Sequence, residues 1–75
     1  MSYYDDTRIT VRATSRLGRV FVLEEPKATQ AILDLHGGGY TTEQTMNAME
    51  SRRRLIEDGE TTIDGVRLEL LRNGK

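Results

Sequence analysis

His36 stands directly before Gly37, Gly38 and Gly39, the place in this chain where residue type and spacing come nearest to chemistry. Backbone N–H groups of a glycine loop can hold the oxyanion of a tetrahedral intermediate. The same glycines precede Tyr40 and Thr41 at a helix start, where free N–H groups can bind a phosphate or another anion. A second candidate is Arg52-Arg53-Arg54, a run able to meet nucleic-acid phosphates. On a helix it covers almost a full turn, so its three charges point in different directions. Twelve carboxylates supply acid–base groups, but none is tied by spacing to a second catalytic group. With one His and no Cys, neither a metal site nor any other cofactor is expected.

The His-Gly-Gly-Gly run resembles the loop that forms half of the oxyanion hole in many esterases and lipases. The rest of that constellation is missing. The serines are Ser2, Ser15 and Ser51, and none lies in a Gly-x-Ser-x-Gly elbow. The plain expectation is a helix end, with His36 favoured at the negative pole of the helix dipole. A nucleotide site is an alternative built on Gly37, Gly38, Gly39, Tyr40 and Thr41. It lacks the Gly-Lys-Ser/Thr ending of a phosphate loop and would need an Arg from a neighbouring copy.

A DNA-binding regulator is the other alternative, using residues 27–58 as a helix-turn-helix-like segment. Gln44 and Asn47 would face base edges, since both side chains can pair adenine bidentately. Arg52, Arg53 and Arg54 would meet phosphates. The competing expectation is a solvated face, the arginines pairing with Glu50, Glu57 or Asp58 at helical spacing. The order of strand 19–24 and two helices is similar to the ribbon–helix–helix family, whose strand enters the major groove. Here Arg19, Phe21 and Leu23 would face the bases, and two large apolar groups are poor base readers, so no family residue is carried over.

The elements around these residues follow from periodicity. Ile9, Val11 and Ala13 alternate with Arg8, Thr10, Arg12 and Thr14, the pattern of a half-buried strand. Val20-Phe21-Val22-Leu23 is a continuous apolar run, which predicts a strand buried on both faces. Ser15 to Gly18 would turn the chain between them. Pro26 suits a first helical turn, and Ala28, Ala31, Ile32 and Leu35 then form one apolar stripe. A second helix starts at Thr41 or Thr42, where Thr41 and Gln44 fit a capping box, and stops at Gly59. Its inner face is read as Met46, Met49 and Ile56, with Ala48 and Leu55 beside them and Arg53 lying along the core. Asp64-Gly65 between Thr61-Thr62-Ile63 and Val66-Arg67-Leu68 predicts a type I′ hairpin.

Hairpins over 7–24 and 60–72 flank helices over 26–36 and 42–58. The fold class is therefore α+β, a small single domain of order ββααββ. Its antiparallel sheet of two hairpins carries two helices on one face. The inner sheet face is expected to hold Ile9, Val11, Val20, Val22, Val66, Leu68 and Leu70. Phe21, Leu23 and Leu71 would then face away from the helices. Together with Tyr3 and Tyr4 they are the candidate protein interface, because apolar and aromatic surface residues mark contact sites. Residues 1–6 and 73–75 are expected to fray.

A 75-residue chain buries only about 60–65% of its unfolded surface, and no disulfide can staple it. Small domains without staples often gain stability by association, so a homo-oligomer is favoured. A net charge of −1 gives no bulk attraction to nucleic acid or to a membrane. No apolar run is long enough to span a bilayer, and the first residues lack the basic and apolar regions of a signal peptide. A cytoplasmic location is expected. The leading expectation of function is a non-enzymatic intracellular binding protein, an adaptor or inhibitor of a protein partner. Small size and basic residues that are mostly Arg suit a phage or mobile element.

Overall fold

The computed structural model describes residues 7–74. The order is β1 (Arg8–Thr14), β2 (Val20–Glu24), α1 (Lys27–Leu35), α2 (Thr42–Asp58), β3 (Glu60–Ile63) and β4 (Val66–Gly74). The four strands form one antiparallel sheet of order β2-β1-β4-β3. Thus β1 and β4 are central, and each hairpin contributes one edge. Helix α1 packs over β1 and β2, and α2 over β3 and β4.

The turns carry the expected chemistry. In the first hairpin Gly18 donates to the Ser15 carbonyl at 2.9 Å, and the Ser15 N–H reaches the Arg19 carbonyl at 2.8 Å. In the second, Asp64 and Gly65 have φ of 52° and 81°, the two left-handed residues of a type I′ turn. Arg16 leans across from the first turn. Its Nε donates to the Asp64 carbonyl at 2.7 Å, and its guanidinium pairs with the Asp64 carboxylate. The capping box at Thr41 is complete: Gln44 N–H donates to Thr41 Oγ1, and Gln44 Oε1 accepts from the Thr41 N–H.

Register overturns the expected inner face of β2. Val11 lies opposite Leu23 and Ala13 opposite Phe21. Directly opposed residues share a face, so Phe21 and Leu23 point to the helix side and Val20 and Val22 away from it. Leu23 packs against the core. The continuous apolar run predicts burial on both faces, yet β2 is an edge strand. Val20, Phe21 and Val22 remain 57%, 51% and 61% exposed. Four consecutive apolar residues carry no alternation, so periodicity alone could not choose the face.

The inner face of α2 is turned by one residue from the expected one. Ala48, Arg52 and Leu55 are buried, while Met46 is 66% exposed and Arg53 is exposed. The buried row falls at i, i+4 and i+7, with an arginine in its middle. Charged side chains are almost never fully buried unless paired, which hid that row. Expected fraying at residue 73 also gives way. Asn73 and Gly74 pair with Ile9 and Arg8, after a register shift between Thr10 and Val11 that leaves Leu71 as the extra residue of β4. Residues 1–6 and 75 lie outside the described residues.

Candidate functional site

The glycine loop is spent on helix geometry. Gly37 N–H donates to the Asp34 carbonyl at 3.1 Å, and Gly38 N–H to the Leu33 carbonyl at 2.8 Å. This is the Schellman pattern, and Gly37 takes the left-handed position with φ of 102°. The Tyr40 and Thr41 N–H groups both donate to Gln44 Oε1, at 2.8 and 3.2 Å. Four of the five donors proposed for an anion are thus committed inside the chain. Tyr40 projects into solvent.

His36 does have a partner that the sequence concealed. Its Nε2 and Ser51 Oγ share a hydrogen bond of 2.7 Å, joining the end of α1 to the middle of α2. Among the described residues no carboxylate contacts His36 to orient it, and the neighbouring donors are the helix-capping ones above. The pair ties two helices together and lacks the third member of a catalytic triad.

The five residues of the nucleic-acid alternative do not share one surface. Gln44 holds the capping box. Arg53 pairs with Glu50 and Glu57, and Arg54 lies 3.6 Å from Glu50. The Arg53 guanidinium and the Glu50 carboxyl are each shifted further toward their charged forms, chiefly by the hydrogen bond between them. Asn47 is exposed, and Arg52 points into the protein.

Arg52 is the centre of a buried polar knot. Its side chain is 7% exposed and that of Glu25 9% exposed. The Arg52 guanidinium donates to Glu25 Oε2 at 3.2 Å, to Thr29 Oγ1 at 3.0 Å and to the Thr7 carbonyl. Glu25 in turn accepts from the Thr29 N–H and hydroxyl, each at 2.8 Å, and from the Ile9 N–H at 3.4 Å. Burial pushes the Glu25 carboxyl up, but the bonds from Thr29, Arg52 and Ile9 outweigh it, and the net displacement is downward. Among the described residues no buried side-chain polar atom lacks a partner. Nothing local marks Glu25 as buried, because its partners come from β1, α1 and α2.

The helix-free sheet face is charged and internally paired. Arg12 grips Glu69 through two 3.1 Å bonds, and Arg67 bridges Glu60 and Glu69 at 3.1 and 3.8 Å. That chain crosses β1, β4 and β3 and stops short of β2. There Val20 and Val22 continue the face as apolar surface, and Leu17, at the adjoining turn, is 91% exposed. Of the expected interface residues, Phe21 and Leu71 are exposed, Leu23 is half-buried, and Tyr3 and Tyr4 lie outside the described residues. Among the described residues the side chains of Arg19 and Glu24, at the two ends of β2, have no ion pair or hydrogen bond.

Among the described residues no group of three His, Asp or Glu is placed to hold a metal ion, and no helix is long and apolar enough to cross a membrane. Comparison with protein-family models, curated proteins and solved structures found no match.

Proposed function

We propose that this chain is a small non-enzymatic binding protein of the cytoplasm that acts through protein–protein contact, with the β2 side of the sheet as its contact surface. The observation that carries the reading is the apolar edge strand. Leu17, Val20, Phe21 and Val22 are exposed together along one side of a sheet whose other outward side chains are largely ion-paired. A contiguous apolar patch at an unpaired sheet edge invites a partner and, left uncovered, invites aggregation. An adaptor or inhibitor carried by a phage or mobile element suits a domain of this size.

The test is capture from the native host with a tagged chain, alongside the Leu17→Ser/Val20→Ser variant. Both side chains are exposed, so the fold should survive. A stoichiometric partner held at least tenfold more weakly by the variant is expected, because full burial of one such side chain contributes about 1.5–3 kcal/mol. A partner retained equally by both proteins, or none at all, would overturn the reading.

A further inference from the structure

We infer that β2 pairs with β2 of a second copy of this chain, antiparallel about a two-fold axis at Val22, so that two four-stranded sheets become one of eight strands. This rests on β2 being the contact surface and names its occupant. The argument starts from the backbone. The Ser15–Arg19 bond fixes which residues of β2 bond to β1. In an antiparallel ladder bonded and non-bonded pairs alternate. With Thr14 opposite Val20 and Ala13 opposite Phe21, the N–H and C=O groups of Phe21 and Leu23 turn toward β1. Those of Val20, Val22 and Glu24 turn toward the open edge, which has no neighbouring strand among the described residues.

Three outward residues at alternate positions are self-complementary. With Val22 on the axis, Val22 faces its own counterpart, and Val20 faces Glu24 of the second copy at both ends. All six outward backbone groups then bond, and each side chain keeps its own face of the sheet. On the helix side Phe21 comes opposite Leu23 of the other copy and gains the cover it lacks.

Charge selects the direction. Among the described residues Arg19 and Glu24 have no side-chain partner, and they sit at opposite ends of β2. Antiparallel pairing sets the Arg19 end of each strand beside the Glu24 end of the other, the two charges on opposite faces of the sheet, whereas parallel pairing brings like charges together on one face. The two edges of the sheet also differ. Edge strand β3 is four residues long and carries Glu60, Thr61 and Thr62, features that discourage pairing. Strand β2 carries no charge between Arg19 and Glu24.

The test uses the purified chain alone, so that it fails or succeeds independently of any host partner. Sedimentation equilibrium at micromolar to hundred-micromolar concentration should give twice the chain mass. Val22→Pro removes an N–H that points away from β1, a place where an edge strand tolerates proline. Val22→Lys sets two ammonium groups against each other on the axis. Both variants should sediment as folded monomers. Amide exchange on the wild-type chain provides a readout that does not depend on either variant folding. Phe21 and Leu23 amides should be protected at every concentration. Val20, Val22 and Glu24 should be protected only when concentrated and should exchange at least tenfold faster on dilution. A wild-type monomer at the highest concentration, a dimer that survives either substitution, or fast exchange at these three amides in the dimer would overturn the inference. A monomer that still captures a host protein would leave the broader binding role standing.

Discussion

Arg52 is the residue on which most of the molecule leans. Its guanidinium holds the Thr7 carbonyl, Thr29 of α1 and Glu25 before α1. Removing one member of a buried ion pair costs about 3–5 kcal/mol, because it strands the other charge. A domain of this length has roughly 4–11 kcal/mol in total. Arg52→Ala should therefore lose a large share of the stability, with a steep fall in the urea midpoint followed by circular dichroism. Arg53→Ala, one position along but exposed, should shift the melting temperature little, since surface ion pairs contribute little. Acid should find the same knot through Glu25. Its carboxyl is displaced downward in the folded state, so the carboxylate stabilises the fold fully above the unfolded value of about 4.3. That contribution is lost as pH falls through the lower folded value. Urea midpoints measured from pH 7 to pH 2 should drop over this window, and Glu25→Gln should begin lower and drop less. An equal acid limb in both proteins would place the sensitivity elsewhere.

At the scale of elements, turns and caps govern. Gly65→Val puts a β-branched residue at φ of 81°, where its Cβ would also meet the Arg16 side chain at 3.0 Å. Left-handed strain of this kind costs about 1–3 kcal/mol, and the urea midpoint should fall accordingly with the slope unchanged. Gly37→Ala faces both problems at the end of α1, where the new Cβ would lie 2.5 Å from Gln44 Nε2. It should disturb the start of α2 as well, seen as faster amide exchange at Tyr40 and Thr41. These elements were legible in the sequence because their signals are local: Asp64-Gly65, the Thr41/Gln44 box and the alternation of Ile9, Val11 and Ala13 each lie within a few residues. What could not be read was whatever depends on a distant partner. The face of Val20-Phe21-Val22-Leu23 is set by register with β1. Burial of Arg52 is set by Glu25, 27 residues away. The His36–Ser51 bond spans 15 residues with no motif to announce it.

For the whole molecule, the decisive relation is between the first and last strands. β1 and β4 are adjacent at the centre of the sheet, and Arg8 lies opposite Gly74. Half of the sheet therefore forms only after the last strand arrives. Deleting residues 66–75 should leave a chain without cooperative unfolding, since β1 and β3 both lose their β4 neighbour. A circular permutant of residues 7–74 that joins Gly74 to Thr7 through a short linker and opens at Leu17, the exposed tip of the first hairpin, should keep the fold. Near-native ellipticity and a cooperative melt are the expected signs. The balanced surface makes a further prediction. With a net charge of −1 and arginines largely paired, the chain should wash through a double-stranded DNA column at about 0.15 M salt.

The adjacent start of β1 and finish of β4 also make the sheet a directional mechanical element. Tension applied between Arg8 and Gly74 pulls the start of β1 away from the finish of β4, perpendicular to both strands. The ladder is then loaded one bonded pair at a time, like a zip, instead of in shear across all pairs at once. Tension applied between Arg8 of β1 and Arg67 of β4, at opposite ends of their ladder, would load all its pairs in shear. Optical-trap pulling should show a low rupture force for attachment at Arg8 and Gly74 and a markedly higher one for attachment at Arg8 and Arg67. The first event in the easy direction should be release of the Thr7 carbonyl from Arg52, so the fold yields from the corner where its buried ion pair sits.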